Sequence, residues 1–284
     1  MITIKQIQNN ATVTDGTDTV TLGAGDNYTC SPPVINEWME LVIDTTISGG
    51  TPSDSFSLSA KGNGLIDWGD GTIKPFDGTT TNIDSTNTHQ YSVGGVYTVK
   101  YKGWLTMANG LASDGVKIIE FKNCGAETSF DTVGNMFYYC INMTVTAKDV
   151  VNTLSNTALR MFSYCLLLVE PPKVMTYFMN SVQEMFLRAS LNSDLGYMDL
   201  RQCNNFTNFA INVTTWSTEN YGKTLMGWLR WDSTTHAPQV GWDLKPNQNF
   251  HGGNSTLIAG SEAALARDYL INNLNWTITD GGLL

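Results

Sequence analysis

The segment VYTVKYKG (residues 96–103) alternates β-branched or aromatic residues with polar ones. A period of two puts one row of side chains on a buried face and predicts a strand. Shorter runs predict strands at Ser55–Ala60, Leu65–Trp68 and Thr72–Phe76, bounded by residues that favour turns. Glu37–Ile47 (EWMELVIDTTI) is apolar enough to be a buried strand leading into this unit. Upstream, ATVTDGTDTVTLG alternates Thr or Val with polar residues around Asp15-Gly16, which predicts short strands and tight turns. Pro32-Pro33 marks a boundary after them.

Beyond residue 104 the pattern becomes a repeat. NMFYYCINMTV starts at Asn135, RMFSYCLLLVE at Arg160 and EMFLRASLNSD at Glu184. The pairs Met136-Phe137, Met161-Phe162 and Met185-Phe186 are 25 and then 24 residues apart. Cys140 and Cys165 follow at one offset, where the third copy has Ala189. Such a period predicts stacked units, each a turn carrying Met-Phe and then a short strand, which share one core because none can bury its apolar face alone. KIIEFKNC (117–124) and GYMDLRQC (196–203) read as further strands of the stack. Ser261 as an N-cap, Glu262 in the first turn and Ala264, Leu265, Tyr269, Leu270 and Leu274 at helical spacing predict a capping helix, with WTITDGG as a final strand and turn. The expected fold is mainly β with some α. Residues 1–46 form a short β docking segment, 47–103 a β-sandwich, and 104–284 a leucine-rich-repeat-like solenoid with a helical C-terminal cap.

Two families share these motifs. Trp68-Gly69-Asp70-Gly71, then His89-x-Tyr91, then Gly95-x-Tyr97-x-Val99 resembles the polycystic-kidney-disease (PKD) domain, an immunoglobulin-like sandwich. The resemblance implies that Asp70 belongs to a tight turn after a strand and that His89 packs in the sandwich. Met-Phe-x-x-Cys-x-x-Leu resembles the BspA-like leucine-rich repeats of bacterial surface proteins and many phage-encoded proteins. It implies an adhesive, non-enzymatic role.

Composition narrows the function classes. The net charge is −10 and only 15% of residues are charged, so Asn, Thr, Ser and Gly must solvate much of the surface. The 16 Lys and Arg form no basic run, which argues against nucleic acid and anionic lipid as partners. Five cysteines without a CxxC are expected to be buried thiols rather than a disulfide framework or zinc site, and no cofactor or metal is expected. MITIKQIQNN carries no visible export signal and no run is long and apolar enough to span a membrane. A virion surface protein assembled in the host cytoplasm fits these features. It would be a capsid decoration or a tail- or fibre-associated protein, oligomeric in the particle, bound to other virion proteins through its N-terminal segment and to host-surface carbohydrate. A bacterial BspA-like adhesin is the alternative.

Two sets of residues are candidates for chemistry. Trp216, Tyr221, Trp228, Trp231 and Trp242 crowd one stretch, and aromatic faces flanked by Asn, Asp and Thr can stack on sugars, although Trp228 and Trp231 at i, i+3 equally suit a core. Asp67 and Asp70 lie three apart around a turn, poorly placed to face each other across a glycosidic bond. A calcium site there would need Asp77 or Asp84 as further ligands. A carbohydrate-active enzyme built on Asp67 and Asp70, or on Asp194 and Asp199, is the remote alternative.

Overall fold

A computed structural model describes residues 2–4, 11–14, 19–22, 28–30, 37–79, 87–109, 113–147, 149–151, 153, 155–174 and 176–284. The Asp15-Gly16 turn, Pro32-Pro33 and Asp84 lie outside them. The chain divides into two compact units, 1–36 and 37–284. In the first, β1 (Ile2–Ile4) pairs antiparallel with β4 (Tyr28–Cys30), and β2 (Ala11–Thr14) with β3 (Thr19–Leu22).

The second unit begins with β5 (Met39–Asp44), which the sequence reading grouped with the N-terminal segment. Met39, Leu41 and Ile43 are buried and alternate with half-buried residues. Next come β6 (Ser55–Ser57), β7 (Ala60–Asp67), β8 (Ile73–Gly78), β9 (Thr88–Gln90) and the long β10 (Val96–Met107). The sequence placed one strand over Ser55–Ala60 and another over Leu65–Trp68. In the structure β6 stops at Ser57, and β7 runs unbroken through Ala60–Asp67. After a 3-10 turn (Asp114–Lys117) come β11 (Ile118–Asn123), β12 (Thr128–Phe130) and β13 (Thr144–Val145). The main sheet has seven strands in the order β13-β11-β5-β10-β7-β8, with β12 parallel to the far end of β10. β6 and β9 form a second, two-stranded sheet. β5 pairs antiparallel with both β10 and β11, so the strand at the sequence boundary is central to the sheet.

A buried ion pair fastens the repeat region to this sandwich. Lys117 and Asp114 are wholly buried, with Nζ and Oδ1 3.7 Å apart. Lys117 Nζ donates to the carbonyls of Thr51, Pro52 and Ser55 at 2.7–3.0 Å. Asp114 accepts from the Thr51 and Ser57 amides at 3.0 and 2.7 Å. Burial pushes the Lys117 pKa down while Asp114 resists that shift. A buried pair so fully hydrogen bonded fixes how two elements meet, because both groups are held by the backbone of residues 51–57.

The repeats then stack as a solenoid. Asn135, Phe137 and Tyr139 donate their amides to Leu159, Met161 and Ser163, and Arg160, Phe162 and Tyr164 donate to Gln183, Met185 and Leu187. Glu184, Phe186 and Arg188 donate in turn to Thr207, Phe209 and Ile211. Within each copy the chain coils through successive turns, closed by bonds such as Met161 N to Ala158 O and Cys165 N to Phe162 O. These turns need positive φ at two positions per copy, filled by Asn135 and Tyr139, Arg160 and Tyr164, Glu184 and Arg188, and Asn208 and Asn212. Left-handed backbone costs a non-glycine residue about 1–2 kcal/mol. Three inter-coil bonds of about 1 kcal/mol each offset it.

The Met-Phe residues and both repeat cysteines are buried. Phe121, Phe137, Phe162, Phe186 and Phe209 form a column, with ring centroids 4.9, 5.8, 5.5 and 5.3 Å apart. Phe209 reveals a fourth copy, Asn208-Phe209-Ala210-x-x-Val213, that keeps the backbone but not the letters. The thiols of Cys140 and Cys165 are pushed far up by burial, as suits inert packing groups. Among the described residues, the middle coils carry the short parallel pair β14 (Val150–Val151) and β15 (Lys173–Val174) and single bridges such as Thr157–Ser181. The strand expected over 196–203 is absent: that stretch bends through turns instead.

The last coils contain helices. α1 (Thr218–Leu229) is capped by the Ser217 side chain. It precedes the small hairpin β16 (Trp231–Asp232) and β17 (Ala237–Pro238). Then follow β18 (Asn249–His251), β19 (Thr256–Leu257), α2 (Glu262–Asn272), β20 (Thr277–Thr279) and β21 (Gly282–Leu283). β18 pairs parallel with β20 and β19 with β21. Ser261 caps α2 through the Ala264 amide, as the sequence predicted. Tyr221 and Arg267, one from each helix, converge on buried Asp280 at 2.7 and 2.9 Å. Among the described residues no helix is long and apolar enough to cross a membrane.

Candidate ligand-binding site

The sandwich motif is spent on structure. Trp68 is wholly buried and stacks on His89 at 5.1 Å. Buried Tyr91 donates its hydroxyl to the Trp68 carbonyl at 3.0 Å and stacks on Tyr97 at 3.8 Å. Asp70 accepts from the Thr72 amide at 2.9 Å and meets His89 Nε2 at 2.7 Å. Burial works against its ionisation, yet these bonds outweigh it and hold the carboxyl below its usual range. Asp67 accepts from the amide of Gly69, whose φ is +84°. The two acids therefore serve a turn in which glycine supplies the left-handed backbone. Asp194 likewise accepts from the Gly196 amide at 2.7 Å, and Asp199 is held by Arg201. Among the described residues no three His, Cys, Asp or Glu side chains gather as metal ligands do.

The tryptophan cluster splits. Trp216 is 4% exposed, and Tyr221 and Trp228 are 0% exposed. These three are core and cannot be part of an exposed platform. Trp216 and Trp228 are held from behind as well, their indole N–H groups donating to the carbonyls of Ser193 and Leu195. The reason lies in α1, which the sequence reading missed: it places Tyr221, Leu225 and Trp228 on one inward stripe. Ser217 and the spacing 221, 225, 228 were the signal. Trp231 is half-buried and donates to Glu262 at 2.8 Å. Trp242 is half-buried and donates to the Trp228 carbonyl at 2.7 Å, which fixes its ring.

Trp242 belongs to an assembly that sequence reasoning did not anticipate. The Arg201 guanidinium lies over Trp242 at 4.0 Å and over Tyr177 at 5.8 Å, while Arg230 lies over Trp242 at 4.7 Å. Aromatic rings and cations thus alternate in a ladder: Tyr177, Arg201, Trp242, Arg230. Cation–π stacking holds each step. Arg201 is further clamped by Asp199, at 3.0 and 2.8 Å. Burial would raise the Asp199 pKa, but Arg201 and, at longer range, Arg230 keep it low. Tyr177 and Phe178 are each 46% exposed and meet edge to face at 5.0 Å. Arg230 is exposed, and Val240, two residues before Trp242, is 99% exposed.

The ladder continues a habit of the whole solenoid. All five arginines of the chain lie between residues 160 and 267. Arg160 lies over Tyr138 and Arg188 over Tyr164, so each reaches back to an aromatic of the preceding coil, as Arg201 reaches Tyr177. The spacing from Tyr164 to Arg188 and from Tyr177 to Arg201 is the repeat length, which was a legible signal. Rigid aromatic faces beside planar hydrogen-bond donors can stack on the C–H face of a sugar while binding its oxygen substituents. No protein-family model matches the chain, and neither does any curated protein or solved structure.

Proposed function

We propose that this chain is a non-enzymatic recognition protein of a virion surface that holds host saccharide on the arginine–aromatic ladder of its solenoid. The observation that carries the reading is the exposure of Tyr177 and Phe178 beside the fixed Trp242 and its two arginines. Tyr177 and Phe178 are adjacent exposed rings, and contiguous apolar patches are the ones that serve as interaction surfaces. The low charge content and the resemblance of the repeats to BspA-like sequences, many of them phage-encoded, support the virion setting. Docking on other virion proteins is proposed for the N-terminal segment, which the sequence bounds at 1–46 and of which residues 1–36 form the first compact unit.

Two experiments test it together. Intact phage particles carrying the chain are labelled with antibody and viewed by electron microscopy, with copies counted per particle. Label on the particle surface is expected, and its absence from every particle would move the reading to a bacterial surface adhesin. A glycan array then compares the protein with Tyr177→Ala, which should lose the bound saccharides.

A further inference from the structure

The two ends of the ladder differ in chemistry. At one end Tyr177 and Phe178 offer apolar rings. At the other, Arg230 is exposed and stacked on Trp242, with no carboxylate within ion-pair distance among the described residues. Arg201 already spends Nε and Nη2 on Asp199. Arg230 therefore has the free donors. A guanidinium lying over a ring keeps its N–H edge available for a planar acceptor, and a carboxylate or phosphate matches that fork.

We propose that the ligand is an acidic oligosaccharide, its sugar ring on Tyr177 and Phe178 and its negative group on Arg230. The inference rests on the saccharide-binding reading above and names the class of sugar. A neutral sugar would leave the Arg230 donors to water and gain nothing from the charge. Long nucleic-acid polyanions fit poorly, because a chain of net charge −10 with no basic run repels them at distance. A short saccharide needs only local contact, so its binding depends on the guanidinium rather than on long-range steering. The negative group could be a uronic carboxylate or a phosphodiester, and the fork accepts either.

The test is calorimetry of the whole chain with three probes: an oligogalacturonate, the same oligosaccharide with its carboxyls reduced, and a phosphodiester-linked teichoic polymer. At least one acidic probe should bind about tenfold tighter than the reduced one, the gain of a charge-assisted bond. Which acid wins identifies the negative group. Arg230→Gln should remove that advantage, so that the acidic and reduced probes bind the variant about equally, with a small drop in thermal midpoint from the stacking lost on Trp242. Equal binding of acidic and reduced probes, or indifference to Arg230→Gln, overturns the acidic assignment but spares the saccharide reading. No binding of any saccharide here or on the array removes both.

Discussion

The solenoid carries arginine as well as lysine where the sandwich carries lysine without arginine, and the difference follows from how each is held together. From residue 37 to 109 every basic residue is lysine. Lys100 pairs with Glu40 and Lys102 with Glu127 on the surface, at 3.3 and 3.1 Å. A sheet with antiparallel pairing and alternating burial has its register set by the buried face, so its surface lysines, two of which lie over Trp68 and Trp38, are not needed to set it. The solenoid gets its order from equivalent residues stacking at a fixed period. There a planar guanidinium can lie on the ring one coil back, as Arg160, Arg188 and Arg201 do, while Arg230 lies over Trp242. Arginine thus does for the solenoid surface what phenylalanine does for its core.

Mutations can break this contrast. Phe162 is wholly buried between rings on both sides, which leaves no room to relax. Phe162→Ala should cost about 4–5 kcal/mol, read by chemical denaturation. A loss under about 1 kcal/mol would mean that the column is not what holds the coils. Lys117→Met leaves Asp114 buried without its charge partner and should cost about 3–4 kcal/mol. If the sandwich and the solenoid then melt separately, the ion pair is what makes residues 37–284 one cooperative body.

Asp280 gives a pH dependence. Burial would raise its pKa, but bonds from Arg267 and Tyr221 outweigh that and lower it. A depressed carboxylate contributes stability that is present above its unfolded pKa, near 3.9, and is lost as pH falls through the lower folded value. Denaturant midpoints should therefore drop as pH is taken below about 4. Asp280→Asn should cost about 1–3 kcal/mol at neutral pH and flatten this acid limb. An unchanged limb would show that other carboxylates dominate it. The smallest effect bears most directly on the two surfaces: Arg188→Lys should destabilise by about 0.5–1 kcal/mol through lost stacking, whereas Lys100→Arg should stay within about 0.5 kcal/mol. Equal effects would dissolve the distinction between the two surfaces.

What could be read in the sequence follows the same divide. The strand at 96–101 and the Met-Phe period were legible because one physical constraint, burial at a fixed spacing, wrote both. The fourth copy was hidden because Phe209-Ala210 and Val213 fill the space of Met-Phe and Cys with other letters. The long reach of β7 was hidden as well, since Gly62, Asn63 and Gly64 break the apolar alternation while their backbones pair with Leu105, Trp104 and Gly103. Trp242 was noticed, but as one of five equals. Only the course of α1 shows that Tyr221 and Trp228 turn inward, and only stacking of coils brings Trp216 to Ser193 and Tyr177 and Arg201 to Trp242 from elsewhere in the chain.

The most direct test of the recognition surface is hydroxyl-radical footprinting of the whole protein with and without a saccharide selected on the array. Tyr177, Phe178 and Trp242 should become protected on binding, while Tyr138 and Tyr164, which carry arginines of their own farther along the stack, keep their reactivity. Protection confined to the sandwich or to Tyr138 and Tyr164, with Tyr177, Phe178 and Trp242 unchanged, would contradict the account.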